Sequence, residues 1–273
     1  SIRRQRQMCI RDRSHRLLMP LRFLHISDIH FRKYASDKKQ LLDLDANIQN
    51  EVELDLRSFC KANGPVNAIL ICGDIAFSGQ SGEYESADDW LKKISKIVGC
   101  EQESILTVPG NHDVDRNQIR GILSNTHNQF KLLKKRKQID PLLFKVLETN
   151  SDSEFLLKPF DNYNKFATKY GSIPSKGNVL YWEKDFDIGN FKIRIRGVNS
   201  ALISNEDDDE HNSKLFLGSH QTNITREPNV INIFMCHHPP QWLYDQDEME
   251  IEVLARSSIQ LYGHKHKEGR KRI

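Results

Sequence analysis

Carboxylates, imidazoles and one carboxamide recur in this chain at a single kind of place, just after a short apolar run. Asp28 and His30 follow Phe23 to Ile26, and Asp74 follows Ala68 to Cys72. Asn111, His112 and Asp113 follow Ser104 to Val108 across Pro109-Gly110. His237 and His238 follow Val230 to Cys236, and His264 and His266 follow Ile259 to Tyr262. An apolar run of four to seven residues reads as a buried strand, and polar groups at successive strand tips are how an α/β protein assembles a site. The donors are imidazole nitrogens and carboxylate or amide oxygens without thiolates, a set that suits Mn²⁺, Fe, Co²⁺, Ni²⁺ or Zn²⁺. So many such groups exceed one tetrahedral centre. They suit two ions sharing a carboxylate, roughly 3.5–4 Å apart, the arrangement that clamps a phosphoryl group during in-line displacement.

The elements that must position these groups are legible around them. Leu41, Leu42, Leu44, Ile48, Val52, Leu56 and Phe59 recur at helical spacing, predicting a helix over 40–62 that Asn63-Gly64-Pro65 stops. A second amphipathic helix is expected over 83–98, carrying Trp90, Leu91, Ile94 and Val98. The first part of the chain is therefore β-α-β-α-β, a layered α/β sheet with its ligands at one edge. Residues 115–172 break this rhythm as a polar, helical insert containing Lys131, Lys134, Lys135, Arg136 and Lys137. The run reads as a solvated helix face; the sharper alternative is a lid whose positive charge meets a phosphate. Residues 179–185 and 190–198 alternate around Gly189-Asn190 as a hairpin that starts a second sheet. An acidic, solvent-facing loop is expected over 205–210 and a helix over 247–256.

Each fragment alone is a weak signal. In order, however, D-x-H, G-D, G-N-H-D, H-H-P and G-H-x-H resemble the calcineurin-like metallophosphoesterase superfamily over about residues 23–266. The resemblance implies a four-layer α-β-β-α sandwich with a helical insert after the GNHD motif. It also implies roles: Asp28, His30 and His266 on one metal, Asn111, His237 and His264 on a second, and Asp74 bridging both. Of the adjacent histidines, His237 at the strand end is preferred over His238. His112 is similar to the family's non-ligand histidine, which contacts the substrate phosphate and protonates the leaving group. Asp113 is expected to hold that imidazole in the useful tautomer, or to cap the following helix. Gly73, Gly110 and Gly263 read as residues that let backbone pass close to the ligands. Arg116 reads as either a substrate contact or a partner of Asp115, the pairing being the expectation.

One departure is informative. Protein phosphatases of the superfamily read G-D-x-V-D-R-G where this chain has Gly73-Asp74-Ile75-Ala76-Phe77-Ser78-Gly79. The second aspartate is Phe77 and the phosphate-clamping arginine is Ser78, which argues against a protein phosphatase; this run, with Pro109 to Arg116, resembles the bacterial phosphodiesterase-type branch. The expected activity is hydrolysis of a P–O bond by a metal-bridging hydroxide, on a diester, with two divalent ions, Mn²⁺ first among them. The alternatives are a phosphomonoesterase or nucleotidase, or a low-turnover sensor of a phosphorylated ligand.

Length and composition set the remaining bounds. At 273 residues, 38% of them hydrophobic, the chain is long enough for one full α/β core. No run approaches the roughly 18 apolar residues of a membrane span, and none reads as a secretory signal. Five cysteines without C-x-x-C spacing read as reduced thiols, so a cytoplasmic location is expected. The net charge of +3 is carried by six arginines in residues 1–18, which have a single acid, Asp12, among them. Met8 to Asp12 reads like translated adapter sequence, so residues 1–18 are taken as non-native, with Met19 as the start of a phosphoesterase domain over 19–273. The remaining chain has no basic excess to support a nucleic-acid partner. Only seven residues follow His266, so truncation and a fused C-terminal domain are also expectations.

Overall fold

The computed structural model describes residues 20–33, 44–174, 180–205 and 215–265. Three parallel strands form one sheet: β1 (Phe23–Ile26), β2 (Ala68–Cys72) and β3 (Ile105–Val108), in spatial order β1-β2-β3. Between them run α1 (Leu44–Asn63) and α2 (Ser81–Val98), as the period of the apolar residues requires. After β3 the chain is helical: α3 (Ile122–Leu132), α4 (Arg136–Glu148), α5 (Asn150–Leu157) and α6 (Asp161–Ala167). A hairpin of β4 (Tyr181–Ile188) and β5 (Phe191–Val198) pairs Ile188 with Phe191 across Gly189-Asn190. The short α7 (Ser219–Thr222), β6 (Val230–Met235), α8 (Gln246–Leu254) and β7 (Ile259–Leu261) follow. β6 lies parallel to β5, and β7 parallel to β6, completing a mixed four-stranded sheet.

The period of two along a strand decides what each face touches. In β2, Ala68, Leu70 and Cys72 face the second sheet, joining Leu106, Val108, Trp182, Ile195, Ile233 and Met235 in a core between the sheets. Ile69 and Ile71, on the opposite face, pack with Leu56 of α1, with Leu91 and Ile94 of α2, and with Phe166 of α6. The outer face of the second sheet is covered by Leu123, Phe130, Ile139 and Leu143 of α3 and α4, and by Met249 and Val253 of α8. Helix, sheet, sheet, helix is the four-layer sandwich. The indole N–H of Trp182 in β4 donates to the carbonyl of Thr107 in β3 at 2.8 Å, a polar tie within the apolar layer.

The helical stretch after β3 contributes to both outer layers. Its basic run is not uniformly solvated: Arg136 is buried and paired with Asp245 and Glu252, whereas Lys134, Lys135 and Lys137 are exposed. Cys72, Cys100 and Cys236 are buried free thiols and Cys60 is half-buried. Residues 1–19, the acidic positions 206–210 and His266 lie outside the described residues.

Candidate metal centre

Pairing between the first two strands does not stop where the strands end. Asp28 N–H donates to Gly73 O, His30 N–H to Asp74 O, Phe31 N–H to Ile75 O, and Phe77 N–H back to Phe31 O. These bonds align the two loops, so Asp28 and His30 are set beside Asp74 by backbone register. From the other sheet, His264 N–H donates to both carboxylate oxygens of Asp28, at 2.9 and 3.2 Å. Gly263 N–H donates to His237 O, which joins the tips of β6 and β7. The site is the common edge of the two sheets.

The backbone is strained there. Among the described residues, five non-glycine residues have positive φ, and four of them are Asp28 (57°), His30 (55°), Asp74 (52°) and His264 (70°). A side chain in that region costs about 1–3 kcal/mol, and such strain concentrates where function demands an orientation. Close approach is equally marked at two glycines. Gly73, at φ +81°, would put a Cβ 2.5 Å from the His237 ring, and Gly110 would put one 2.1 Å from Asp74 Oδ1.

The side chains converge. Asp74 Oδ2 stands 3.2 Å from His237 Nε2 and 3.9 Å from His30 Nε2, while Oδ1 accepts from the His112 backbone N–H at 2.9 Å. Asn111 Oδ1 lies 3.1 Å from His237 Nε2 and 3.2 Å from His264 Nδ1. Among the described residues, three sets of donor atoms lie close enough to hold an ion: Asp28, Asp74 and His237; His30, Asp74 and His112; and His237, His238 and His264. Asp28, His30, Asp74, Asn111, His237 and His264 are thus brought together, with His112 and His238 beside them.

Whether a cation fits can be decided from the protons. His237 Nδ1 lies 2.7 Å from the carbonyl oxygen of Cys72, an acceptor only, so Nδ1 carries the hydrogen. In the neutral ring Nε2 is then a lone pair, and it faces Asp74 Oδ2 and Asn111 Oδ1. Three lone pairs pointing at one another require positive charge between them, either a proton or a metal ion. Burial would lower the His237 pKa, but the charge of Asp74 outweighs it and raises that pKa. Burial likewise opposes ionisation of Asp74, yet His237 and His112 hold its carboxyl well below the usual range. The carboxamide Nδ2 of Asn111 is buried without a hydrogen-bond partner, as is His238 Nε2. The donor set fits a divalent ion.

Three expectations about the neighbours are corrected. His112 Nδ1 is held at 2.7 Å by the backbone carbonyl of Phe77, not by Asp113. The Asp113 carboxylate accepts from the N–H groups of Ile75, Ala76 and Gly110, at 2.9–3.3 Å, and from Tyr84 Oη–H at 3.0 Å. Burial and the nearby Asp74 charge push Asp113 up to about 6, against the amide groups, which favour the anion. Nor does Asp113 cap the next helical turn, because Asp115 does so by accepting from Asn117 N–H. Asp115 also accepts from Gln80 and Gln118, and among the described residues no ion pair joins it to Arg116, whose Nη2 is buried without a hydrogen-bond partner.

Sequence reasoning passed over two groups. A carbonyl such as that of Phe77 has no sequence signature. Ser200 did have one: it follows the strand β5 as the other polar groups follow theirs. Its Oγ lies 2.8 Å from His238 Nδ1 and accepts from His238 N–H, which fixes that imidazole.

A two-sheet sandwich with clustered Asp, Asn and His at one sheet edge defines a metallophosphoesterase-type fold. The model of the calcineurin-like phosphoesterase family matches residues 21–268, and the chain belongs to that family of phosphoric ester hydrolases. It is similar to the uncharacterized metallophosphoesterase-like protein YydB of Bacillus subtilis (strain 168). The two are 28% identical over 228 residues, which are 81% of this chain and 43% of that protein. The chain thus spans less than half the length of this curated relative. Among solved structures, purple acid phosphatase PPD1 from yellow lupin (Lupinus luteus) aligns with 90% of this chain and 38% of its own. The identity is 14% and the TM-score 0.43, too distant to assign residues. Among the described residues, no helix is long and apolar enough to cross a membrane.

Proposed function

We propose that this chain hydrolyses a phosphodiester at a centre of two divalent ions, with Mn²⁺ the first metal to test. Asp28, His30 and His266 would hold one ion, Asn111, His237 and His264 the other, and Asp74 both. The observation that carries this reading is the position of Asp74 Oδ2 between His30 and His237. When bound, the ions would supply an activated water and neutralise charge on the phosphoryl group. The chain's own residues do the rest. Asp74, Asn111 and His237 are buried, and backbone groups hold Asp74 and His237, so these donors need little reorganisation. Since His112 Nδ1 donates to the Phe77 carbonyl, Nε2 is the nitrogen left to pass a proton to the leaving oxygen. A diester is favoured over a monoester because Gly73 to Gly79 and Pro109 to Arg116 resemble the phosphodiesterase-type branch of the family.

The test is turnover of bis-p-nitrophenyl phosphate and p-nitrophenyl phosphate by Mn²⁺-loaded protein, with Asp74→Asn and His112→Ala alongside. Diester hydrolysis lost in D74N and reduced about a hundredfold or more in H112A is expected. Activity that survives both substitutions refutes the mechanism; a preference for the monoester refutes the substrate class.

A further inference from the structure

We propose that Arg32 is the substrate-binding cation of this site, doing from the β1 loop what a clamping arginine does from the β2 loop in protein phosphatases of the family. The proposal rests on the reading of the site as a phosphoesterase centre.

Three observations carry it. First, the β2 loop has no group left for a phosphate at its own arginine position. Ser78 N–H and Ser78 Oγ–H both donate to Glu83, at 2.9 and 2.8 Å, and Glu83 also accepts from Gln80 N–H at the start of α2. Second, backbone register places Arg32 at the site. The ladder that runs past the strand tips ends with Phe77 N–H donating to Phe31 O, so the residue after Phe31 must emerge beside Phe77. Third, the guanidinium is held there: its central carbon lies 3.8 Å above the centre of the Phe77 ring. That ring is 5.5 Å from the His112 ring and 6.3 Å from that of His30.

Phe77 therefore serves the site twice. Its carbonyl fixes the His112 imidazole, and its ring holds a positive charge at the rim beside the same imidazole. Among the described residues no carboxylate forms an ion pair with Arg32, whose side chain is exposed. An arginine stacked on an aromatic face keeps its N–H edge free, and that planar edge matches two oxygens of a phosphate.

The experiment compares Arg32→Ala, Arg32→Lys and Phe77→Leu with wild type and with Lys92→Ala, a control that removes a remote surface charge. Two readings are taken on Mn²⁺-loaded protein: KM and kcat for bis-p-nitrophenyl phosphate, and the Kd of inorganic phosphate by calorimetry. R32A is expected to raise KM and the phosphate Kd about tenfold, with kcat changed less, and R32K to recover part of the loss. F77L keeps the carbonyl that holds His112 and frees the guanidinium, so it should raise KM by a smaller factor. K92A should match wild type. Should wild type hydrolyse no ester, the function proposed above fails, and the phosphate Kd still decides this proposal. An unchanged phosphate Kd in R32A overturns it, as does an equal loss in K92A.

Discussion

Asp113 turns its carboxylate away from the imidazole of its neighbour His112 and into the backbone of two loops. It gathers the N–H groups of Ile75 and Ala76 beyond β2 and of Gly110 beyond β3, with the Tyr84 hydroxyl as a fourth donor. The side chain is fully buried. Asp113 is a knot between the loops that carry Asp74 and Asn111, and its influence on His112 is indirect.

Asp113→Ala would leave three buried N–H groups without an acceptor, each costing about 1–3 kcal/mol. A loss of at least about 3 kcal/mol in urea unfolding is expected. Asp113→Asn should also destabilise, since its NH₂ would meet donors. A D113N protein with wild-type stability but a shifted pH–rate profile would return the residue to a direct catalytic role.

Strain at His30 gives an inverted substitution order. At ordinary positions glycine is less stable than alanine, because it loses more chain entropy on folding. At φ 55° an alanine keeps the clash and a glycine removes it. In metal-free protein, His30→Gly should therefore unfold later than His30→Ala by about 1 kcal/mol. Calorimetric melting of the two variants decides this, and the usual order, alanine above glycine, would show that the conformation is not strained.

Arg136 separates the two readings of the basic run. Its guanidinium reaches Asp245 at 3.0 Å and also Glu252, joining α4 to α8 and the residue before it. Asp245 is fully buried and accepts as well from Leu217 and Gly218 N–H. Arg136→Ala would leave that charge with amides alone and should cost about 3–5 kcal/mol. KM for a phosphoester should stay within about twofold, since an arginine spent on two carboxylates is not a substrate contact. A large KM change at unaltered stability would favour the lid.

His127, on α3, is buried and neither ring nitrogen has a hydrogen-bond partner. Burial, helped by Lys131, lowers its pKa from 6.5 to about 4. The unfolded chain takes up this proton first, so the site's contribution is full above pH 6.5 and is lost as pH falls towards 4. The loss should reach roughly 3 kcal/mol and flatten below that. Subtracting unfolding curves of His127→Leu from wild type over pH 4–7.5 isolates it; a flat difference would mean the imidazole is solvated or partnered.

Much of this protein is written locally. The run Ala68 to Cys72 is apolar on both faces because both faces are covered, and its bounds could be read from residue type alone. Donor chemistry is equally local: Asp28, His30, Asp74, Asn111, His237 and His264 carry oxygen and imidazole donors of the kind that suit a divalent ion, placed after strands. What tertiary structure decided is which atoms face which. His264 N–H reaches Asp28 across 236 positions only because β7 and β1 end at the same edge of two packed sheets. His112 rests on the carbonyl of Phe77 and Asp113 on three amides, and Arg136 disappears into a buried ion pair inside a run that reads as solvated. Backbone groups are the same at every residue, so no sequence pattern marks the one that becomes a partner. Their choice is made by register and packing, once the chain has closed on itself.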